Sequence, residues 1–325
     1  MQKSQHYLFM EALVRRIHTT DLEATLFQEE FYRMQAGLSG ELKLKNRLAD
    51  YHFKSDYFIL YNFECMNTRG FSHQIDALLI TQHFVLVLEV KQISGQLFYK
   101  PAVHEFSRRM ENNIEENLPN PFDQAYRHQL FIEQILHQHH IHIPVVHLVV
   151  IANYRAKLDV SLETMPILHL SGLPTFLENL STQFPPTAYQ VSEIQSIFLK
   201  MKQILPARRQ IEPSRLKSGV FCTSCDTKTP MLFHSGYWHC FSCKAKSKNV
   251  LLDALHDYRT LISNRISNKA FRQFTGIECR FAAKRILAQL NLHTIGYKRT
   301  LMYVIPDEIL WINLEFFSYV SRFRS

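Results

Sequence analysis

The sequence has few cysteines, no long apolar run and no secretion leader, and each absence excludes a class of protein. Six cysteines among 325 residues are too few for a disulfide scaffold. No window approaches the roughly 18 uninterrupted apolar residues of a membrane helix, and no apolar stretch with a small-residue cleavage site opens the chain. With 46% hydrophobic and 20% charged residues, we expect a cytoplasmic chain of two or three domains that does not enter a membrane.

Positive charge is concentrated in the C-terminal third. Over residues 213–305, Lys and Arg number 15 against 4 Asp and Glu, a net charge of +11, whereas the rest of the chain carries −3. An excess confined to one module indicates polyanion binding there, because each neutralised phosphate releases a condensed counterion. A solubilising surface is the alternative interpretation.

Apolar periodicity predicts an α/β order over the first 200 residues. Residues 1–36 have a helical pattern, and Ser39-Gly40 marks the start of a second helix. Strand patterns follow at 57–65, 74–80, 84–91 and 95–100. A helical pattern comes next at 122–138, and then a buried strand at 144–152. We therefore expect a central mixed sheet flanked by helices.

One predicted hairpin places two acids opposite each other. If residues 74–80 and 85–91 pair across a tight turn, directly opposed residues have numbers that sum to 165, so Asp76 faces Glu89. Lys91 lies on the same face as Glu89, because side chains alternate along a strand. Both faces of the hairpin are otherwise apolar, which predicts a covered, central strand pair.

Two carboxylates about 5 Å apart in an apolar setting repel each other, so stability alone gives no reason for the pair. A divalent cation gives one, because Mg²⁺ or Mn²⁺ prefers one or two carboxylates and keeps positions open for water and a phosphate oxygen. A neighbouring lysine can orient the nucleophilic water and offset charge on phosphorus. The alternative is an ion pair of Lys91 with Glu89 or Asp76 at the rim of the sheet.

Five sequence blocks, each occurring once, follow one another along the first half of the chain. They are GLSGE (37–41), HQIDALLI (73–80), VLEVKQISGQL (87–97), NPFDQAYRH (120–128) and VVHLVVIAN (145–153). In order and spacing they resemble the nuclease-related domain, NERD, which is similar to the PD-(D/E)xK restriction-endonuclease-like superfamily. The resemblance spans roughly residues 33–160 and implies a restriction-endonuclease-like fold and metal-dependent nuclease activity.

The resemblance also implies roles for five residues. Asp76 and Glu89 hold Mg²⁺ or Mn²⁺, and Lys91 is the catalytic lysine. Glu41 is the additional acid, a ligand of a second metal or of water, and Gln124 lines the cleft from a helix. Read without the resemblance, Glu41 is an exposed first-turn acid that favours the helix dipole, and Gln124 makes a capping contact.

Four cysteines form two C-x2-C pairs separated by 14 residues, and they are Cys222, Cys225, Cys240 and Cys243. Two such knuckles supply four thiolates to a tetrahedral Zn²⁺ and leave no position open, so we predict a structural zinc ribbon. Its short segment has no core of its own, which makes the metal necessary for folding.

The basic region after the cysteines has the pattern of a helix-turn-helix. The pattern predicts a helix near 267–274, a turn, a second helix over 278–290 and then a basic wing. This order resembles a helix-turn-helix. A plain helical hairpin with solvent-facing arginines is the alternative. The predicted nucleic-acid contacts are Lys244, Lys246, Arg280, Lys284, Arg285, Lys298 and Arg299.

These observations predict five segments. They are a NERD nuclease-like domain over 1–205 with its core at 33–160, a linker over 206–218, a zinc ribbon over 219–248, a winged-helix-like region over 249–306 and a tail over 307–325. The predicted function is a metal-dependent endodeoxyribonuclease that hydrolyses phosphodiester bonds of DNA, or of RNA, with the basic module docking the nucleic acid. A non-catalytic DNA-binding or scaffold protein that keeps the nuclease fold is the alternative, and a protein-interaction arm is a third.

Overall fold

A computed structural model describes residues 3–159, 165–225 and 228–311, and most of the predicted tail lies outside these residues. The helices are α1 Gln5–Arg16, α2 Ala24–Asp50, α3 Pro121–Gln138, α4 Leu173–Gln183, α5 Val191–Met201, α6 Val250–Leu261, α7 Asn268–Thr275 and α8 Arg280–Gln289. The strands are β1 Tyr57–Met66, β2 Ser72–Thr81, β3 Val85–Lys91, β4 Gln96–Lys100, β5 Glu105–Arg109, β6 Glu115–Leu118, β7 Val145–Ile151, β8 Lys157–Asp159, β9 Ile167–His169, β10 Val220–Phe221, β11 Pro230–His234, β12 Tyr237–Cys240, β13 Lys246–Ser247, β14 Arg265–Ile266, β15 Thr294–Ile295 and β16 Met302–Val304. None of these helices combines the length and apolar character needed to cross a bilayer.

The first compact unit, Tyr32–Leu205, is built on a five-stranded sheet of order β1-β2-β3-β7-β9. The β1–β2 and β2–β3 pairs are antiparallel, and the β3–β7 and β7–β9 pairs are parallel. Apolar side chains of α3 and α5 cover one face of the sheet, and those of α2 and α4 cover the other. The central strand β3 is buried on both faces, which explains its apolar run. The predicted α/β class with a central mixed sheet is confirmed.

A second, smaller sheet of order β6-β5-β4-β8 follows β3 in the same unit. Gly95 joins β3 to this sheet with a φ of +95°. A Cβ at this position would lie 2.6 Å from the carbonyl oxygen of Arg109, so only glycine lets the two backbones approach this closely.

Helix α2 does not begin at Ser39-Gly40 as the pattern predicted, because it is continuous from Ala24 to Asp50. Gly40 serves helix packing instead. A Cβ there would lie 3.1 Å from the Cβ of Gln92 and 3.3 Å from a methyl of Val90. The bare glycine therefore allows α2 to pass close to the end of β3, which brings the next residue, Glu41, to that end of the sheet.

The second unit combines Gln5–Phe31 with the chain from Pro206 onward. It contains a four-stranded sheet of order β10-β11-β12-β13 and, after it, the element order α6, β14, α7, α8, β15, β16 with sheet order β14-β16-β15. Ser267 caps α7 by accepting from the N–H of Ala270, and Gly276 ends the helix in the left-handed conformation. One continuous apolar core joins the cysteine-bearing strands to these helices.

The membership of α1 in this second unit differs from the predicted domain over 1–205. Arg16 of α1 is buried and donates to the Asp257 carboxylate of α6 at 2.7 Å and to the carbonyl of Gly219 at 2.7 Å. The predicted linker is also packed, since Leu216 is buried and pairs with Ile17 in a β-bridge. Periodicity identifies α1 as a helix, but its partner Asp257 lies 241 residues away, beyond the reach of local patterns.

Candidate active site and metal centre

The β2–β3 hairpin has the predicted register. Ala77 lies opposite Leu88, and the turn is closed by the Thr81 N–H donating to the Phe84 carbonyl at 3.0 Å. The ladder ends one position before the predicted Asp76–Glu89 pair, and the N–H of Val90, the residue after Glu89, donates to Oδ2 of Asp76 at 2.8 Å. The Asp76 carboxylate thus reaches the strand that carries Glu89 and Lys91.

Lys91 connects two of the predicted site residues. Its Nζ donates to Oε1 of Glu89 at 2.6 Å and to Oε1 of Gln124 at 3.2 Å. Gln124 lies in the first turn of α3, but the cap of that helix is the side chain of Asn120, which accepts from the N–H of Phe122. Gln124 therefore contacts the candidate site and is not the capping residue.

Glu41 reaches the same group from α2. It lies well inside the helix, not in its first turn, and it is mostly buried. Its carboxyl group hydrogen-bonds the Asn62 side chain and interacts electrostatically with Asp76 and Lys91. The five residues implied by the resemblance are thus brought together from α2, β2, β3 and α3.

Asn62 is a residue of this site that the sequence analysis missed. It lies in β1 with a φ of +47°, and the ladder skips it, since Tyr61 pairs with Ala77 and Phe63 with Ile75. The skipped position is the one opposite Asp76. An asparagine in the middle of an apolar strand is a usable signal, because asparagine is depleted in strands and enriched in the left-handed region.

The side-chain alternation of β2 is interrupted at the same level. Leu78 and Ile80 pack in the core beside α3, and Ile75 packs there too, although its number is odd. Ala77 and Leu79 pack in the core on the other face. The strand therefore changes phase next to Asp76, which strict period-2 alternation does not predict.

Burial raises the pKa of all three acids, and the charge of Asp76 raises the pKa of the other two further. Burial, and then the charge of Asp76, raises the pKa of Glu89 to about 8. Burial and Asp76 likewise raise the pKa of Glu41 to about 7, and burial raises the pKa of Asp76. Burial lowers the pKa of Lys91, but the three carboxylates together outweigh it, and the pKa lies above its ordinary value. The ammonium group is therefore charged and the acids are under-neutralised.

The donor set fits a divalent cation better than a closed ion pair. The Glu89–Lys91 ion pair does form, but the second oxygen of Glu89, Oε2, is buried and has no partner among the described residues. Buried carboxylate oxygens are normally hydrogen-bonded or bound to metal. Within the described residues, the groups of three or more close potential ligands include the four thiols and not the three acids together. One or two carboxylates are what Mg²⁺ or Mn²⁺ requires.

The four thiols of the second unit form a compact cluster. All four sulfur atoms lie within 4.8 Å of one another, with 3.6 Å between Cys222 and Cys243 and 3.7 Å between Cys225 and Cys240. A tetrahedron with Zn–S bonds of about 2.3 Å has edges of about 3.8 Å. The N–H groups of Cys243 and then Ser242 lower the pKa of Cys240 to about 7, whereas hydrogen bonds with the other thiols, Cys243 first, raise the pKa of Cys225 to about 12. The cluster could hold a zinc ion.

The seven predicted nucleic-acid contacts all lie exposed on the second unit. Two precede or lie in β13, three lie on α8 and two lie in the turn between β15 and β16. The seven are Lys244, Lys246, Arg280, Lys284, Arg285, Lys298 and Arg299. Within the described part of the chain, none of them forms an ion pair. Exposed aromatic side chains accompany them, with Phe281 on α8 and Tyr297 under the Lys298 ammonium.

Residues 36–152 match the family model of the nuclease-related domain, NERD. This part of the chain is a nuclease-related domain. An uncharacterized protein of Bacillus anthracis is 28% identical over 102 residues, which are 31% of this chain and 47% of the relative, so the match spans about half of the relative's length. No solved structure matches the chain. The NERD segment contains Glu41, Asp76, Glu89, Lys91 and Gln124.

Proposed function

We propose that this protein is a metal-dependent nuclease that hydrolyses phosphodiester bonds of DNA. Asp76 and Glu89 would hold Mg²⁺ or Mn²⁺, and Lys91 would assist the attacking water. The single observation that supports this most strongly is the buried Oε2 of Glu89, which has no partner among the residues that the structure describes and lies beside a second carboxylate. A bound ion would supply Lewis-acid activation of the scissile phosphate.

The hydrogen bonds of Lys91 support its role as a donor. An ammonium group has three N–H donors, and Lys91 uses two of them on Glu89 and Gln124. The third is left for the attacking water or a phosphate oxygen. Because the raised pKa keeps Lys91 protonated, it would stabilise developing negative charge and would not act as the base.

Glu41 would serve as the additional acid, a ligand of a second metal or of the attacking water. Its carboxyl group interacts with Asp76 and Lys91, and burial and then the charge of Asp76 raise its pKa to about 7. The Asn62 side chain holds the Glu41 carboxyl group in position.

The experiment uses the full-length, zinc-loaded chain with labelled single-stranded and double-stranded DNA and RNA, in Mg²⁺, in Mn²⁺ and without added divalent metal. We expect metal-dependent cleavage, and Lys91→Ala should lower its rate by about 10²- to 10⁴-fold while the circular dichroism spectrum stays unchanged. Lys54→Ala is the matched control, because Lys54 is an exposed lysine of the same unit that lies by the turn of the β2–β3 hairpin. Cleavage by Lys91→Ala at the wild-type rate would exclude this assignment.

A second candidate function is non-catalytic binding of nucleic acid through the second unit. The exposed, unpaired cations favour it, and the order helix, strand, two helices and two strands resembles a winged helix. This function predicts salt-dependent binding that survives Asp76→Asn combined with Glu89→Gln. The combined change Arg280→Ala and Lys284→Ala should weaken binding and reduce the slope of log affinity against log salt by about 2. Cleavage that is lost in Lys91→Ala would make binding a supporting activity of the nuclease.

A further inference from the structure

Two buried histidines connect the helix of Gln124 to the strand of Asp76. His128 lies one turn after Gln124 on α3, and His73 lies three residues before Asp76 on β2. Their Nδ1 atoms are 3.1 Å apart, and both side chains are almost fully buried. The His73 ring also stacks on Phe131 of α3, with centroids 3.8 Å apart and an interplanar angle of 8°.

The contact between the two imidazoles contains a single proton. One Nδ1 must donate and the other must accept, which fixes the tautomer of each ring. Burial lowers the pKa of both histidines, that of His128 to about 3, so both rings are neutral near pH 7. The pair is therefore a directional hydrogen bond between a strand and a helix.

The two buried imidazoles lower the stability of the fold relative to apolar side chains, so stability alone does not explain them. Nε2 of His128 is buried and has no partner among the described residues. Such an unsatisfied polar atom destabilises the fold relative to an apolar ring of the same shape. Phenylalanine fits this side of the helix, since Phe131 occupies the next turn and is buried there.

We propose that His128 and His73 are positioning residues that hold Gln124, and through it Lys91, in the geometry required for the proposed nuclease reaction. This inference rests on the proposed function. The Lys91–Gln124 hydrogen bond of 3.2 Å joins β3 to α3. A shift of α3 by one residue would move Gln124 by about 1.5 Å and break it. Apolar packing is non-directional, whereas the His73–His128 bond defines the helix position along its axis.

Three substitutions at His128 separate the roles of its two nitrogens. His128→Asn places an amide near the Nδ1 position and keeps a partner for His73, His128→Gln places an amide near Nε2, and His128→Phe keeps only the ring. We expect kcat to fall about 10- to 100-fold in the Phe and Gln variants with KM within about 3-fold, because a displacement of about 1 Å is enough to cost this much. His128→Asn should retain most of the wild-type kcat. His137→Phe, an exposed histidine of the same helix, is the control.

A double-mutant cycle tests whether His128 acts through Gln124. If it does, Gln124→Ala combined with His128→Phe should be no more than about 3-fold slower than the slower single variant. Multiplicative losses in the double variant would overturn the proposal. A wild-type kcat in His128→Phe would also overturn it. So would a kcat that is near the wild-type value in His128→Gln but reduced in His128→Asn.

A readout without catalysis distinguishes failure of this inference from failure of the proposed function. An apolar ring that only stabilised the fold would slow amide hydrogen exchange, so loss of the directional bond is reported by exchange over residues 121–128 that is at least about 5-fold faster in His128→Phe and returns toward the wild-type rate in His128→Asn. If the wild-type chain cleaves no nucleic acid while exchange follows this order, the proposed function fails and the histidine pair still positions α3. Equal exchange in wild type and His128→Phe would exclude the positioning role.

Discussion

The two candidate metal centres of this chain differ in how their ligands are brought together and in how their charges are balanced. The four thiols come from 22 consecutive residues and lie within 4.8 Å of one another. The acids come from a helix and two strands, and burial and the charge of Asp76 raise the pKa of both Glu89 and Glu41. A structural site has all its ligands in place, whereas a catalytic site keeps open positions and under-neutralised charge.

The comparison also shows how each unit tolerates loss of a ligand. The cysteine-bearing strands have little core apart from the metal site and the helices that follow, so the metal would supply folding free energy. The acid site lies at the end of a sheet that is packed on both faces, and its buried carboxylates, which Lys91 neutralises only in part, oppose folding. Removing a ligand should therefore have opposite effects on stability at the two sites.

The largest effect is expected at the thiol cluster. Removal of zinc, or Cys222→Ser, should unfold the second unit, because structural Zn²⁺ binding is worth about 10–16 kcal/mol in small zinc domains. Elemental mass spectrometry measures the zinc content. Circular dichroism measures the loss of secondary structure of the second unit when zinc is removed by a chelator. Cys279→Ser is the control, since Cys279 is an exposed thiol outside the cluster. A second unit that stays folded without metal would contradict the prediction.

An intermediate effect is expected at the buried ion pair of the second unit, which, unlike the acid site, is fully satisfied. Arg16→Met should lower the free energy of unfolding by about 3–5 kcal/mol, because Asp257 would lose its buried partner. Arg16 also lies over the rings of Phe221 and Phe274, at 4.5 and 4.6 Å from their centroids. Urea denaturation of the zinc-loaded protein measures the change. Arg15→Met, which removes a partly exposed partner of the same carboxylate, should cost less.

The smallest effect, and one of opposite sign, is expected at Glu89. Its pKa is raised on folding from about 4.5 to about 8, so the folded state binds more protons and stability falls as pH rises through this window. Glu89→Gln should therefore raise stability at pH 8 by about 1–3 kcal/mol and change it little at pH 4.5. Thermal melts of zinc-loaded protein without added Mg²⁺ measure this, with the exposed Glu111→Gln as control. A loss of stability at pH 8 would show that Glu89 is a structural ion-pair partner.

The hairpin, the α/β class and the thiol cluster could be predicted from the sequence because each depends on short spacing. The register of β2 and β3 followed from the turn length, and the cysteine pairs from their two-residue spacing. Glu41 and Gln124 entered the site only through resemblance to a family, since no local pattern links either residue to Asp76. Roles in catalysis and in nucleic-acid binding remain predictions for the experiments above.

Three features depend on contacts between residues that are distant in the chain. Gly40 indicated a helix start, but it permits close packing of α2 on the end of β3. Asn62 interrupts the ladder opposite Asp76, and α1 joins the second unit through Arg16. In each case the reason is a contact with residues distant in the chain, which hydrophobic periodicity does not encode.

By itself, the sequence determined strands β1–β4 and β7, helix α3, the pairing of one hairpin and the four thiols of a candidate zinc site, because these depend on residues within a few turns or strands of each other. Tertiary structure decided the charge state of the acids, the partners of Lys91 and the contact between His73 and His128. Burial and electrostatic coupling arise only when distant segments pack together, and they set the protonation and geometry on which the proposed chemistry depends.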